Sequence, residues 1–161
     1  MTERLLIFLN LLACAVVVGK IVFLSFVTAP VLSRTLDAEA FARVVRSLFP
    51  PYYGLGMLSA GVGWSSSVGL GFYQGFSGVL MIPTTLWLGI LAIEHYCRTP
   101  LIAQINELSD QLKAKQAKGI STPFIQRRRD SLHRRSVRLN SVVLLMGLCL
   151  LGFSGIAPTL Q

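Results

Sequence analysis

The chain has 161 residues, 53% hydrophobic and only 14% charged, with 15 Lys and Arg against 7 Asp and Glu for a net charge of +8. A mean hydropathy of +0.62, with charge well under the roughly 25% usual for soluble domains, excludes an ordinary soluble domain. Cys14, Cys97 and Cys149 stand alone without a C-x-x-C spacing, which excludes a disulfide-stapled scaffold and leaves them as small apolar fillers.

A helix needs about 20 predominantly apolar residues to cross the hydrocarbon core. Residues 5–28, 52–72, 78–95 and 137–157 meet or approach that length. They predict a single all-α membrane domain over 1–161, a four-transmembrane-helix bundle with an interfacial helix after the first span and a cytoplasmic helical hairpin over 98–136. The Leu11-Leu12-Ala13-Cys14 run resembles a lipoprotein cleavage box, but apolar sequence continues well past Cys14, so a retained first span is expected.

Span one is expected to end near Ala29-Pro30, where proline removes a backbone donor. Asp37 can then cap a short helix to Leu48, with Phe41, Val44, Val45 and Leu48 on one face and Arg43 and Arg46 on the other, a pattern suited to the membrane interface. Pro50-Pro51 is expected to stop it, and Tyr52-Tyr53 to set aromatic rings at the headgroup level.

In span two, Ser59, Gly63, Ser67 and Gly71 recur every four residues, beside a second row of Gly61, Ser65 and Gly69. Small residues at that spacing let helix backbones approach closely, so the first row is the expected helix-packing face, either within the protein or toward another subunit. Span three carries Pro83 followed by Thr84 and Thr85, predicting a kink relieved by hydroxyl bonding.

Thr99-Pro100 has the form of a helix start and Gly119 of a stop, with Leu101, Ile105, Leu108 and Leu112 as the apolar stripe between them. Thr122-Pro123 starts a further helix that nothing interrupts before Gly147, so it runs into span four.

Three of the basic residues lie between spans one and two and ten between span three and the first turn of span four, Arg138 being the last; only Arg4 lies at the N-terminal end, and Lys20 falls within a span. The positive-inside rule makes both charged connections cytoplasmic and places both termini on the other side. Arg127, Arg128, Arg129, Arg134 and Arg135 form a basic patch for anionic lipid headgroups or an acidic partner, and the net charge calls for no nucleic-acid partner.

A charged side chain within a bilayer is costly, by about 2.5–3.5 kcal/mol on insertion scales, so Lys20 is the first functional candidate. Glu94 and Asn140 fall on the same side as Lys20, and His133 shares a helix face with Asn140; the four form a candidate intramembrane polar cluster, either a clasp that sets helix register or the lining of a path for a proton, cation or ligand. No nucleophile and base are suitably spaced, no Gly-rich loop follows a strand, and two histidines are too few for a closed zinc site. The expectation is no enzyme, no cofactor and no metal site.

Ser25 to Leu32 with Gly19 before it, then Leu48-Phe49-Pro50-Pro51-Tyr52-Tyr53, and last Leu132 to Ser136 with Leu139-Asn140 resemble the transmembrane-protein-205-like family. The resemblance covers essentially the whole chain. It implies a four-span bundle of bacteria and organelles and carries no reaction or cofactor with it. A looser architectural similarity, to bundles of copper resistance and haem biosynthesis, lacks the first-span histidine of those proteins.

The function expected from these readings is an accessory or assembly subunit of a larger complex in a bacterial inner or related energy-transducing membrane. The alternative is a small transporter or resistance factor for metal cations or cationic compounds.

Overall fold

The computed structural model describes residues 1–75 and 78–156, and all their regular structure is helical. Helix α1 spans Thr2–Thr35, α2 Ala38–Gln74, α3 Gly78–Tyr96, α4 Ile102–Gln116 and α5 Pro123–Ile156. Two stretches, Thr2–Thr35 and Pro123–Ser154, are long and apolar enough to cross a membrane. The end of the fourth expected span, at residue 157, lies outside the described residues.

Three prolines expected to end helices do not. Around Pro30, α1 widens into a π-helical turn over Leu24–Thr28, with the N–H of Ala29 bonding the carbonyl of Leu24. A second π-turn, Cys97–Leu101, holds Pro100 and joins α3 to α4, with the N–H of Ile102 bonding the carbonyl of Cys97. A proline fits poorly in an α-helix because it lacks a donor and its ring crowds the carbonyl four residues back; an i→i+5 turn relieves both problems. Thr99 therefore caps nothing.

Pro50 and Pro51 likewise lie inside the 37-residue α2, since proline's fixed φ is itself helical. The expected interfacial helix is thus the first part of α2 and not a separate element. Across these prolines Phe49 stacks on Tyr53 with centroids 5.7 Å apart, and Tyr52 meets Tyr53 edge-on at 5.0 Å. Both tyrosines are buried, and their neighbours are the core and each other.

Other local signals hold. The Asp37 carboxylate accepts from the N–H groups of Ala40, at 2.8 Å, and Glu39, at 2.9 Å, and these donors hold its carboxyl below the usual range. Thr85 donates to the carbonyl of Met81 at 2.8 Å beside Pro83. Gly119 takes φ +68° in the turn between α4 and α5, a backbone state that costs glycine little. Leu101, Leu108 and Leu112 of the predicted stripe are buried.

Helices α1 and α2 run antiparallel: Gln74 donates to the Glu3 carboxylate at 2.7 Å at one end, and Lys20 meets Tyr52 at the other. The core between the helices holds Cys14, Val17, Ile21, Trp87, Ile90, Val143 and Leu150. Large apolar side chains such as Phe8, Phe26, Leu58 and Leu145 lie on the outside.

Candidate functional site

A closely packed polar centre forms where α1, α2 and α3 meet. Lys20 Nζ donates to Glu94 Oε1 at 2.7 Å, with side chains only 5% and 1% exposed. Lys20 also donates to the carbonyl of Tyr52 at 3.4 Å, and its ammonium sits 4.0 Å from the centre of the Tyr52 ring. Removing two charges from water costs several kcal/mol per ion, which their attraction offsets only with close geometry and further hydrogen bonds. The carbonyl and the ring face supply such contacts to the ammonium. Glu94 Oε2, by contrast, is buried without a hydrogen-bond partner among the described residues.

Gly56 makes room for this contact. A Cβ there would collide with Lys20 Nζ and with the carboxyl group of Glu94, so the ion pair rests directly against the α2 backbone. Less than one turn before Gly56 on α2, Tyr53 continues the polar chain: its hydroxyl lies 2.9 Å from Ser136 Oγ and accepts from Asn140 Nδ2 at 3.2 Å.

The structure therefore brings Lys20 and Glu94 into contact and sets Asn140 at one remove, through Tyr53. It does not bring in His133, which is exposed and lines a groove on the other side of Tyr53 and Ser136. His133 and Asn140 are seven residues apart on one helix and share a face. The residue between them that turns inward is Ser136, buried with its hydroxyl against that of Tyr53.

Ser59, Gly63, Ser67 and Gly71 are all buried within the protein. Asn10 of α1 donates to the carbonyl of Gly63 at 3.1 Å and to Ser67 Oγ at 2.8 Å, while a Cβ at Gly63 would overlap the Trp87 ring. This decides the open question about that face and corrects its use as a surface for another subunit: the protein's own α1 and α3 occupy it. Asn10 was absent from the expected cluster. Its signal was available, as the one side-chain amide of the first helix, but its partners lie 53 and 57 positions away.

The basic patch remains outside. Arg127, Arg128, Arg134 and Arg135 are exposed; Arg135 stacks 4.9 Å from the Tyr96 ring centre, and Arg129 pairs with Asp130 at 3.0 Å. The hairpin is tied back to α2 by Arg46, whose guanidinium forks onto Asp110 at 2.7 and 2.9 Å. This contact holds the Asp110 carboxyl below the usual carboxylate range and raises Arg46.

His95 and His133 are both exposed, and among the described residues no three His, Cys, Asp or Glu side chains lie close enough to share a metal ion. The model of one family, described as a domain of unknown function (DUF4149), matches residues 12–110. That stretch contains Lys20, Gly56, Gly63 and Glu94. No curated protein and no solved structure matches the chain.

Proposed function

The chain belongs to the DUF4149 family, and from that premise we propose that it is a four-span membrane protein serving as an accessory or assembly subunit of a larger complex. The spans are 5–28, 52–72, 78–95 and 137–157, with both termini on the non-cytoplasmic side of a bacterial inner or related energy-transducing membrane. The strongly one-sided distribution of basic residues supports that orientation. The resemblance to the transmembrane-protein-205-like family supports the span number; its first two motifs fall inside residues 12–110 and its third, from Leu132, lies beyond them.

The observation that carries the reading is the closed Lys20–Glu94 contact. Intramembrane charge that is spent on holding α1, α2 and α3 together makes a rigid body, and the surface left for recognition is the basic hairpin with the apolar helix faces. Its partners are anionic headgroups, other membrane subunits or further copies of itself, with no catalytic or cofactor role. Because the Ser59 to Gly71 row is used internally, a partner engages the hairpin or the outer faces.

The unpartnered Glu94 Oε2 favours a second reading, a small transporter or resistance factor for metal cations or cationic compounds. Native mass spectrometry of the protein extracted from its own membrane in mild detergent separates the two. A stoichiometric second polypeptide supports the accessory reading. A bare monomer overturns it, and loss of cation export in a correctly inserted Lys20→Met variant would then establish transport.

A further inference from the structure

Between the first turns of α2, the middle of α4 and the start of the basic stretch of α5 lies a groove of about 410 Å³. Its apolar lining includes Phe41, Phe49, Tyr53 and Ile105, and its rim carries Arg43, Arg46, Lys113 and Arg129 against only Asp110 and Asp130. Each of these two acids is already held by an arginine, Asp110 by Arg46 and Asp130 by Arg129. Arg43 and Lys113 therefore supply a net positive field, and the Glu39 contact of Arg43 is an exposed one, at 3.1 Å, that an incoming anion can displace. A salt-bridged guanidinium still has spare N–H donors, since it carries five. Asn106 and Ser109 also line the groove and can meet hydroxyl groups.

An apolar cavity of this size with convergent cationic groups at one edge fits an amphiphile with an anionic head. We propose that the groove seats the phosphate headgroup and glycerol end of one anionic phospholipid of the cytoplasmic leaflet. This rests on the membrane reading above, which places Arg43 and Lys113 on the cytoplasmic side. The site is distinct from the patch of Arg127, Arg128, Arg134 and Arg135, none of which lines it. The phosphate meets Arg43, Lys113 and the free edges of Arg46 and Arg129, while the first acyl carbons run along Phe49 and Ile102 toward the membrane-side end of the groove.

The test uses the full chain in mild detergent, delipidated and titrated with phosphatidylglycerol, phosphatidylcholine or glycerol phosphate, with bound species read by native mass spectrometry. One phosphatidylglycerol is expected per chain. Its apparent affinity should fall about tenfold or more in Arg43→Gln/Lys113→Gln, fall likewise in the charge-neutral groove-filling Asn106→Trp, and hold in Arg34→Gln/Arg138→Gln, two exposed arginines outside the groove lining. Equal weakening in that last pair, equal retention of phosphatidylcholine, or occupancy by glycerol phosphate in place of lipid would overturn the proposal. Partition of the protein into the aqueous phase of a detergent extraction would overturn the membrane reading with it, whereas detergent-phase protein without bound phosphatidylglycerol would overturn the groove alone.

Discussion

Lys20 Nζ and Glu94 Oε1 lie 2.7 Å apart although 74 positions separate the residues in the chain, and the Gly56 backbone forms the wall behind them. Three helices are thereby pinned at one level by a charge pair with almost no access to solvent. Removing one member of such a pair leaves an uncompensated buried charge, whereas replacing both with apolar groups can be close to neutral.

The Lys20→Met variant is therefore expected to lose about 3–5 kcal/mol of stability, and Lys20→Met/Glu94→Leu to recover most of it. Thermal unfolding of the four proteins of the cycle in one detergent measures this. A double variant whose loss equals the sum of the two single losses would mean that the two side chains are not energetically coupled.

Glycines of α2 should sort by what lies opposite them. Gly63→Ala drives a Cβ into the Trp87 ring and Gly56→Ala drives one into the ion pair, each expected to cost about 1–3 kcal/mol. A Cβ at Gly61 meets nothing within 4 Å, so Gly61→Ala should be neutral or stabilising by up to about 1 kcal/mol, the helix propensity difference. Melting temperatures of the three variants are the check, and a Gly61→Ala as damaging as Gly63→Ala would count against the packing described.

Asn10 is expected to hold α1 against α2 through its amide. Asn10→Leu removes the donors to Gly63 and Ser67, and we expect a loss of about 1–2 kcal/mol, much of it absent when Ser67 is already alanine. Additive effects of Asn10→Leu and Ser67→Ala would show that the 2.8 Å contact between them contributes nothing.

The tie between α2 and the hairpin should depend on pH. Because Arg46 holds the Asp110 carboxyl below its ordinary value, the contact contributes fully above the unfolded carboxylate value of about 3.9. It is lost as pH falls through the lower value of the folded protein. Spin labels at positions 42 and 107 should report a narrow distance distribution at pH 7 that broadens only in acid below the ordinary carboxylate range, while Asp110→Asn should be broad throughout. A distribution unchanged by acid and by Asp110→Asn would place the restraint elsewhere.

Much of the helical pattern was legible locally. Asp37 as a cap, Gly119 as a stop and the uninterrupted course of α5 follow from side chains acting on backbone within one turn of themselves. The prolines misled for the same reason. Taken alone, Pro30, Pro50, Pro51 and Pro100 each read as a break, yet helix continues through all four, because widened turns and the packing of Phe49, Tyr52 and Tyr53 offset a local cost.

The amino-acid sequence by itself determined the all-helical character, the asymmetric placement of positive charge and the presence of lysine, glutamate and asparagine in apolar surroundings, since these depend on composition and short-range periodicity. Only the tertiary structure decided which groups meet. Lys20 reaches Glu94 because Gly56 has no side chain, Asn140 stops at Tyr53 while His133 faces outward, and the Ser59 to Gly71 row closes on Asn10 and Trp87. A helix face can be read from spacing along one segment, but its occupant is fixed by the close packing of several helices at once, and no single segment carries that information.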